Sequence, residues 1–364
     1  MSDLERLAAR MIAVGFDGLT IPDPLDALLR RGIGGVVLFA RNVQHPRQVA
    51  ELNADLKRRA INPVMLCVDH EGGRVRRLRA GFSPIPSMRE LGRTRSVDLA
   101  RRIGTIIGQE VRAVGFDVDF APVLDVDTNP KNPVIADRSL GADPALVARL
   151  GASLVDAIQS QGVAACGKHF PGHGDTWIDS HHDLPRLDHD RTRLDAVELV
   201  PFRACTHAAS MMTSHIVFTK FDPTYPATLS PLVTKHLLRD EISYEGVIFT
   251  DDMEMKAIAS FFGFDEAVIR AVEAGADVIT ICHSHQLQSR AIDVLIRAVE
   301  AKRLRREDLE RSVSRIERLC AAYVRPAPDV IDLSVLDAPD HHAVIEQITR
   351  ETQTQIDPTE AWRG

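Results

Sequence analysis

The chain has 364 residues, enough for two domains or one large α/β barrel. Its 44 Lys and Arg against 51 Asp and Glu give a net charge of -7, a poor electrostatic match for nucleic acid or an anionic membrane surface. With 45% apolar and 26% charged residues, disorder is excluded as the main state, and no run approaches the ~18 apolar residues of a membrane helix.

The first residues, MSDLERLAAR, carry charges of both signs and no apolar h-region, so no secretory signal is expected. Cys67, Cys166, Cys205, Cys282 and Cys320 are scattered, odd in number and without a CxxC pair. That pattern predicts reduced, buried thiols and a cytoplasmic protein.

One pattern then recurs along the chain: a helix-like stretch, a glycine, and an apolar run that ends in polar residues. It reads RRGIGGVVLF, AVGFDVDFAPVLD, QSQGVAACGKHF, SYEGVIFTDD and EAGADVITICHS. Glycine suits the left-handed position past a helix, and the apolar run suits a buried parallel strand. Strands are predicted near 12–16, 36–39, 64–69, 117–124, 163–168, 210–217, 247–251 and 277–282. Helix starts are predicted at Ser96, at Asp143 before Pro144 and at Ser230 before Pro231, each a capping side chain. From Ser96, residues Val97, Ala100, Ile103, Ile107 and Val114 form one apolar face. Eight strands alternating with helices predict a (β/α)₈ barrel over residues 1–325. No GxGxxG follows the first strand, which argues against an open dinucleotide fold. A helix over Arg306–Tyr323 closes the barrel. Residues 326–364 form a C-terminal extension, a proline-punctuated connector and a short helix packed on its own barrel or on a neighbouring subunit.

Polar residues gather where the predicted strands end, the face on which barrels build their sites. After the third strand comes CVDHEGGRVRRL, after the sixth MTSHI, and after the seventh FTDDMEM. The arginines alone read as a solvated face and Asp251-Asp252 as a helix cap, but four polar motifs on one face point to a site. The richest is Lys168 to Pro185, GKHFPGHGDTWIDSHHDLP with its leading glycine. Its Gly, Pro, His and Asp content predicts a long loop over the barrel mouth, which Gly172 and Gly174 would let move. Asp179 and His181 alternate, so both reach one point as an acid–base pair. His169, His173, Asp175, Asp179, His181 and His182 equally supply enough ligands for a metal. Composition leaves both readings open.

DHEGGRVRR resembles the D-Q-E-G-G-R-V-x-R signature of family 3 glycoside hydrolases of the β-N-acetylhexosaminidase branch. KHFPGHGDTWIDSH is similar to that branch's K-H-F-P-G-H-G-D-T-x-x-D-S-H, FTDDMEM to its S-D-D-L-x-M, and APVLDV with DRSLG to its A-P-V-x-D and x-R-S-F-G stretches. The similarity covers roughly residues 10–320, in order. It implies a single catalytic barrel without a cofactor or metal. Asp251 matches the nucleophile, His181 the general acid/base and Asp179 its dyad partner. Asp69, Arg77, Arg138, Lys168 and His169 match positions that hold the sugar's hydroxyls and acetamido group. His70 stands where the branch has Gln, Thr250 where it has Ser and Met253 where it has Leu.

The resemblance implies a retaining exo-β-N-acetylglucosaminidase, acting on glycans or muropeptides with a terminal N-acetylglucosamine, with no nucleic-acid or membrane partner, as a monomer or homodimer. Peptidoglycan recycling is the setting it implies. Two alternatives stay open. A neutral imidazole does not repel phosphate, so a phosphorylase fits the same residues. A metal-dependent hydrolase would use the His/Asp loop as ligands.

Overall fold

The computed structural model describes residues 2–177 and 184–353. Its barrel strands are β1 (Ile12–Val14), β2 (Gly35–Leu38), β3 (Met65–Val68), β4 (Val118–Asp119), β5 (Ala164–Phe170), β6 (Ser210–Thr213), β7 (Val247–Phe249) and β8 (Ile279–Ile281). They pair in parallel in the order β7-β6-β5-β4-β3-β2-β1-β8. A parallel bridge from Phe249 to Val278 joins the two ends of that sheet, so the barrel closes. The (β/α)₈ expectation is met, with each strand near its predicted place.

Strand lengths differ from expectation where the chain leaves the ladder. β4 is regular over Val118–Asp119 alone; past it Phe120 donates to Val68 O, the Ala121 and Pro122 carbonyls accept from the Cys166 and Lys168 amides, and Val123 bridges Lys168. The predicted strand ending at Lys168 is longer than expected: His169 and Phe170, placed in the loop, continue β5, buried throughout, and the chain leaves the strand at Pro171. Polar side chains sit in this strand because their partners lie across the barrel.

The helix signals hold in most details. Ser96 and Asp143 accept from the amides of Leu99 and Ala145, and Ser230 Oγ accepts from Val233. The helix after Pro231 is π-helical over Leu232–Glu241. Val97 is exposed rather than core, and Ile106 joins Ile103 and Ile107 on the buried face of Val97–Ala113. Gly32, Gly115, Gly162 and Gly275 take positive φ after their helices. Gly246 does not; there Ser243 takes the left-handed turn, and a Cβ on Gly246 would meet the Tyr244 hydroxyl at 2.2 Å.

The helix Arg306–Tyr323 is present, and beyond the connector Pro339–Gln353 packs against Met88–Thr94 and Val97–Ala113 of the same chain. All five cysteines are buried and free. Among the described residues no helix is long and apolar enough to cross a membrane.

Candidate active site

At the C-terminal ends of the strands lies a cavity of about 510 Å³, with Phe39 after β2, Asp69 after β3, Lys168 and His169 on β5, Met212 on β6, Asp251 and Asp252 after β7, and Thr280 and Cys282 at β8 among its lining residues. Arg77, Arg138 and His173 complete one wall. The structure therefore brings Asp69, Arg77, Arg138, Lys168, His169 and Asp251 to one cavity. Asp179 and His181 lie outside the described residues, as do His182 and Asp183.

A buried ion network holds the β3–β5 side. Lys168 Nζ, 2% exposed, lies 2.6 Å from Asp69 Oδ1 and 2.6 Å from Glu71 Oε1. Arg138 grips Glu71 with two bonds of 2.8 Å. Arg77 stands 3.8 Å from the other Asp69 oxygen. Burial pushes the Glu71 carboxyl up, but the Arg138 and Lys168 cations outweigh it and hold the group below the usual carboxylate range. Burial lowers Lys168, yet Asp69 and Glu71 carry its ammonium up to about 12. Lys168 thus presents a fixed cation beside Asp69, and charged donors and acceptors of this kind make strong bonds to sugar hydroxyls. Glu71, tied to two cations, is an anchor for Arg138 and Lys168 and not a proton donor.

His169 is set by Asp125. The carboxylate, an acceptor, lies 2.7 Å from His169 Nδ1, so that nitrogen carries a proton and Nε2 faces Arg138 at 3.5 Å. Asp125 also accepts from the amides of His169 and His173. Burial works against its charge, and His169 and His173 pull the carboxyl down regardless. His173 itself is lowered to about 4 by burial and by His169. Asp125 sits in APVLDV and Glu71 in DHEGG, so the motifs contained both; their roles depend on partners 44 and 67 residues away.

The start of the β5 loop is fastened. A Cβ on Gly174 would lie 1.8 Å from Val126 O, and one on Gly172 would lie 2.8 Å from Glu198. These glycines permit close approach of backbone; they are not hinges. Asn132 donates to His173 O and Thr176 Oγ1, and Asn129 to Thr176 O. Of the metal-ligand candidates, Asp175 pairs with His189 at 3.1 Å, away from the His169–Asp125 pair. Among the described residues no group of three His, Cys, Asp or Glu is placed to hold a metal.

Asp251 Oδ1 accepts from the Asp252 amide at 2.8 Å. Asp252 is tied to its surroundings: its Oδ1 accepts from the Cys282 and Glu254 amides, and its Oδ2 lies 3.3 Å from His283 Nε2. His70, the departure from the branch pattern, does not line the cavity. It is fully buried, its Nδ1 accepts weakly from Leu78 N, and its amide donates to Asp119. Burial and then Arg76 lower the imidazole to about 3, so it is neutral.

Residues 14–319 match the N-terminal domain of glycosyl hydrolase family 3. The chain belongs to that family. This family 3 hydrolase is 34% identical, over 93% of its length, to beta-hexosaminidase A of Pseudoalteromonas piscicida, and spans 62% of that protein. It is similar to a family 3 beta-N-acetylglucosaminidase from Paenibacillus sp. str. FPU-7, with a TM-score of 0.93, 40% identity, and coverage of 97% of this chain and 69% of that one. NagZ of Neisseria gonorrhoeae, solved with N-trifluoroacetyl-D-glucosamine, has a TM-score of 0.79 and 29% identity, covering 94% of this chain and 98% of its own. The family read from the four motifs is the family to which this hydrolase belongs.

Proposed function

We propose that the protein is a retaining exo-β-N-acetylglucosaminidase. The observation that carries this reading is the joint lining of one cavity by Asp251, by the buried Lys168 and His169 and by the half-buried Asp69 and Arg138. The array suits a hydroxyl-rich and amide-bearing ring, and the beta-hexosaminidase names of its relatives support the same substrate class.

In this reading the Asp251 carboxylate attacks the anomeric carbon and the glycosidic C–O bond breaks. His181, as imidazolium oriented by Asp179, gives its proton to the leaving oxygen. The neutral imidazole then takes a proton from water, whose oxygen displaces Asp251 and restores the carboxylate. Most retaining enzymes use two carboxyls about 5–5.5 Å apart; a histidine on the β5 loop here replaces one of them. The setting we propose is cytoplasmic turnover of peptidoglycan fragments ending in N-acetylglucosamine, with the buried free cysteines in favour of a reducing compartment.

Nitrophenyl N-acetylglucosaminide and glucoside, each assayed with and without phosphate and EDTA, test the reading. We expect a strong preference for the N-acetyl sugar, because a site built for a polar group rejects analogues that lack it. We also expect free N-acetylglucosamine as the product without phosphate and an unchanged rate in EDTA. Comparable kcat/KM for both sugars would contradict the assignment. A requirement for phosphate would make it a phosphorylase, and zinc-reversible loss in EDTA would make it a metallohydrolase.

A further inference from the structure

The motif MTSHI lies at the end of β6, yet nothing in the reaction above uses its histidine. His215 is fully buried. Its Nε2 lies 3.0 Å from the carbonyl oxygen of Asp252, and its Nδ1 lies 2.9 Å from Thr228 Oγ1. A carbonyl only accepts, so Nε2 carries the proton and donates. A neutral ring so protonated accepts at Nδ1 the one proton of the Thr228 hydroxyl, and Thr228, also buried, is itself held by its amide on Ser214 O.

The acceptor's position matters. On the β8 side, the segment after β7 is tied by Thr250 N to Val278 O, Met253 N to Thr280 O and Cys282 N to Asp252 Oδ1. On the β6 side, the ladder ends at Phe249 and Met212, two residues before Asp251. The His215 bond continues the attachment past that end and fixes the Asp252 carbonyl. The Asp252 amide in turn donates to Asp251 Oδ1, so the turn that His215 holds sets the carboxylate's direction.

We propose that His215 is the positioning residue for Asp251, holding the turn at Asp252 so that the carboxylate meets the anomeric carbon in line. The proposal rests on the assignment of Asp251 as nucleophile. His215 acts on Asp251 through residue 252, whose carbonyl it holds and whose amide donates to the carboxylate, and it transfers no proton.

The test is a comparison of His215→Ala, His215→Gln and Thr228→Val on nitrophenyl and dinitrophenyl N-acetylglucosaminides. Displacing a reacting group by about 1 Å can cost ~10²-fold in rate. We expect His215→Ala to lower kcat by that order for both leaving groups equally, while KM and the inhibition constant for N-acetylglucosamine hold. The glutamine amide can place a donor near the Nε2 position, so His215→Gln should recover most of the loss. Thr228→Val should fall between them. Thermal unfolding shows whether each variant is folded; where His215→Ala is not, His215→Gln and Thr228→Val decide. A folded His215→Ala with wild-type kcat overturns the proposal. So does a loss confined to KM or to the poorer leaving group, a folded His215→Gln as slow as the alanine variant, or wild-type kcat in Thr228→Val with altered sugar binding. Asp251→Gly with added azide separates the two levels. Formation of the α-glycosyl azide keeps Asp251 as nucleophile, whatever His215 does, and its absence would remove the reading on which the proposal rests.

Discussion

Asp251 and Asp252 are adjacent and chemically identical, so their difference must come from their surroundings. Both line the cavity, but Asp252 has its oxygens on the Cys282 and Glu254 amides and on His283, whereas Asp251 Oδ1 accepts from the Asp252 amide. Asp251→Asn keeps the shape but removes the carboxylate that the proposed mechanism uses as nucleophile, and kcat should fall by ~10³ or more with sugar binding still measurable by calorimetry. Asp252→Asn keeps an acceptor for the amides and should lose far less. More than a tenth of wild-type rate in Asp251→Asn would move the nucleophile elsewhere. His70 makes a prediction with a definite pH sign. Its folded pKa, about 3, is depressed below the ordinary value near 6.5. It therefore contributes stability that is present above pH ~6.5 and lost as pH falls toward the folded value. His70→Gln removes the titration. Urea unfolding should show a shallower loss of stability between about pH 6.5 and 3 in the variant, with kcat/KM near wild type because His70 is outside the cavity lining. An unchanged pH slope would mean that His70 does not govern acid lability.

At the scale of elements, the barrel was legible because its strands are apolar runs punctuated by glycine, and period and punctuation are local properties. β5 shows where that legibility stops. The predicted strand ends at Lys168, and His169 and Phe170 read as loop because the segment to Pro185 is rich in Gly, Pro, His and Asp. The burial of Lys168 and His169 is stabilised by Asp69, Glu71 and Asp125, which arrive from other strands. The glycines that follow looked like hinges for the same reason; only the neighbouring Val126 carbonyl and Glu198 show them to be points of close approach. Motif resemblance gathered Asp69, Arg77, Arg138, Lys168, His169 and Asp251, while Glu71 and Asp125, their supports, needed the fold. The proposed acid, His181, lies in the sequence beyond Trp177, outside the described residues. His181→Ala should slow the bond-breaking step by about 10²–10⁴ for a poor leaving group. For a dinitrophenyl glycoside, whose phenolate hardly needs a proton, the loss in single-turnover release should be much smaller. Asp179→Asn should lower the imidazole pKa and move the alkaline limb of kcat/KM to lower pH, because a nearby carboxylate favours the imidazolium. Equal slowing of both substrates by His181→Ala would show that His181 is not the acid.

At the scale of the whole molecule, the C-terminal helix Pro339–Gln353 is attached by packing and by one buried polar node. Val344 and Ile348 are buried, and Arg102 donates to Gln347. At the node, the fully buried Glu110 accepts from the Ser83 amide and hydroxyl, from the Asp337 amide at 2.9 Å and from His341 Nδ1 at 3.0 Å. Two of its partners thus come from the tail. Deleting residues 326–364 would re-expose the surface under Val344 and Ile348, each side chain worth about 1.5–3 kcal/mol when buried. It would also leave Glu110, a buried carboxylate, with Ser83 as its remaining partner. Part of the loss is offset because the tail no longer has to be ordered. The melting temperature should still fall by about 5 °C or more. His341→Ala, which removes one donor from the node, should cost about 1–3 kcal/mol in urea unfolding. No described residue of the tail lines the cavity, so kcat/KM measured well below the lowered melting temperature should stay near that of the intact chain. A truncated protein that melts with the intact one would show that the tail contributes nothing to the barrel's stability. A stable truncated protein that has lost its kcat/KM would instead give the tail a part in shaping the active site through Ser83 and the segment that leads from Arg77 to it.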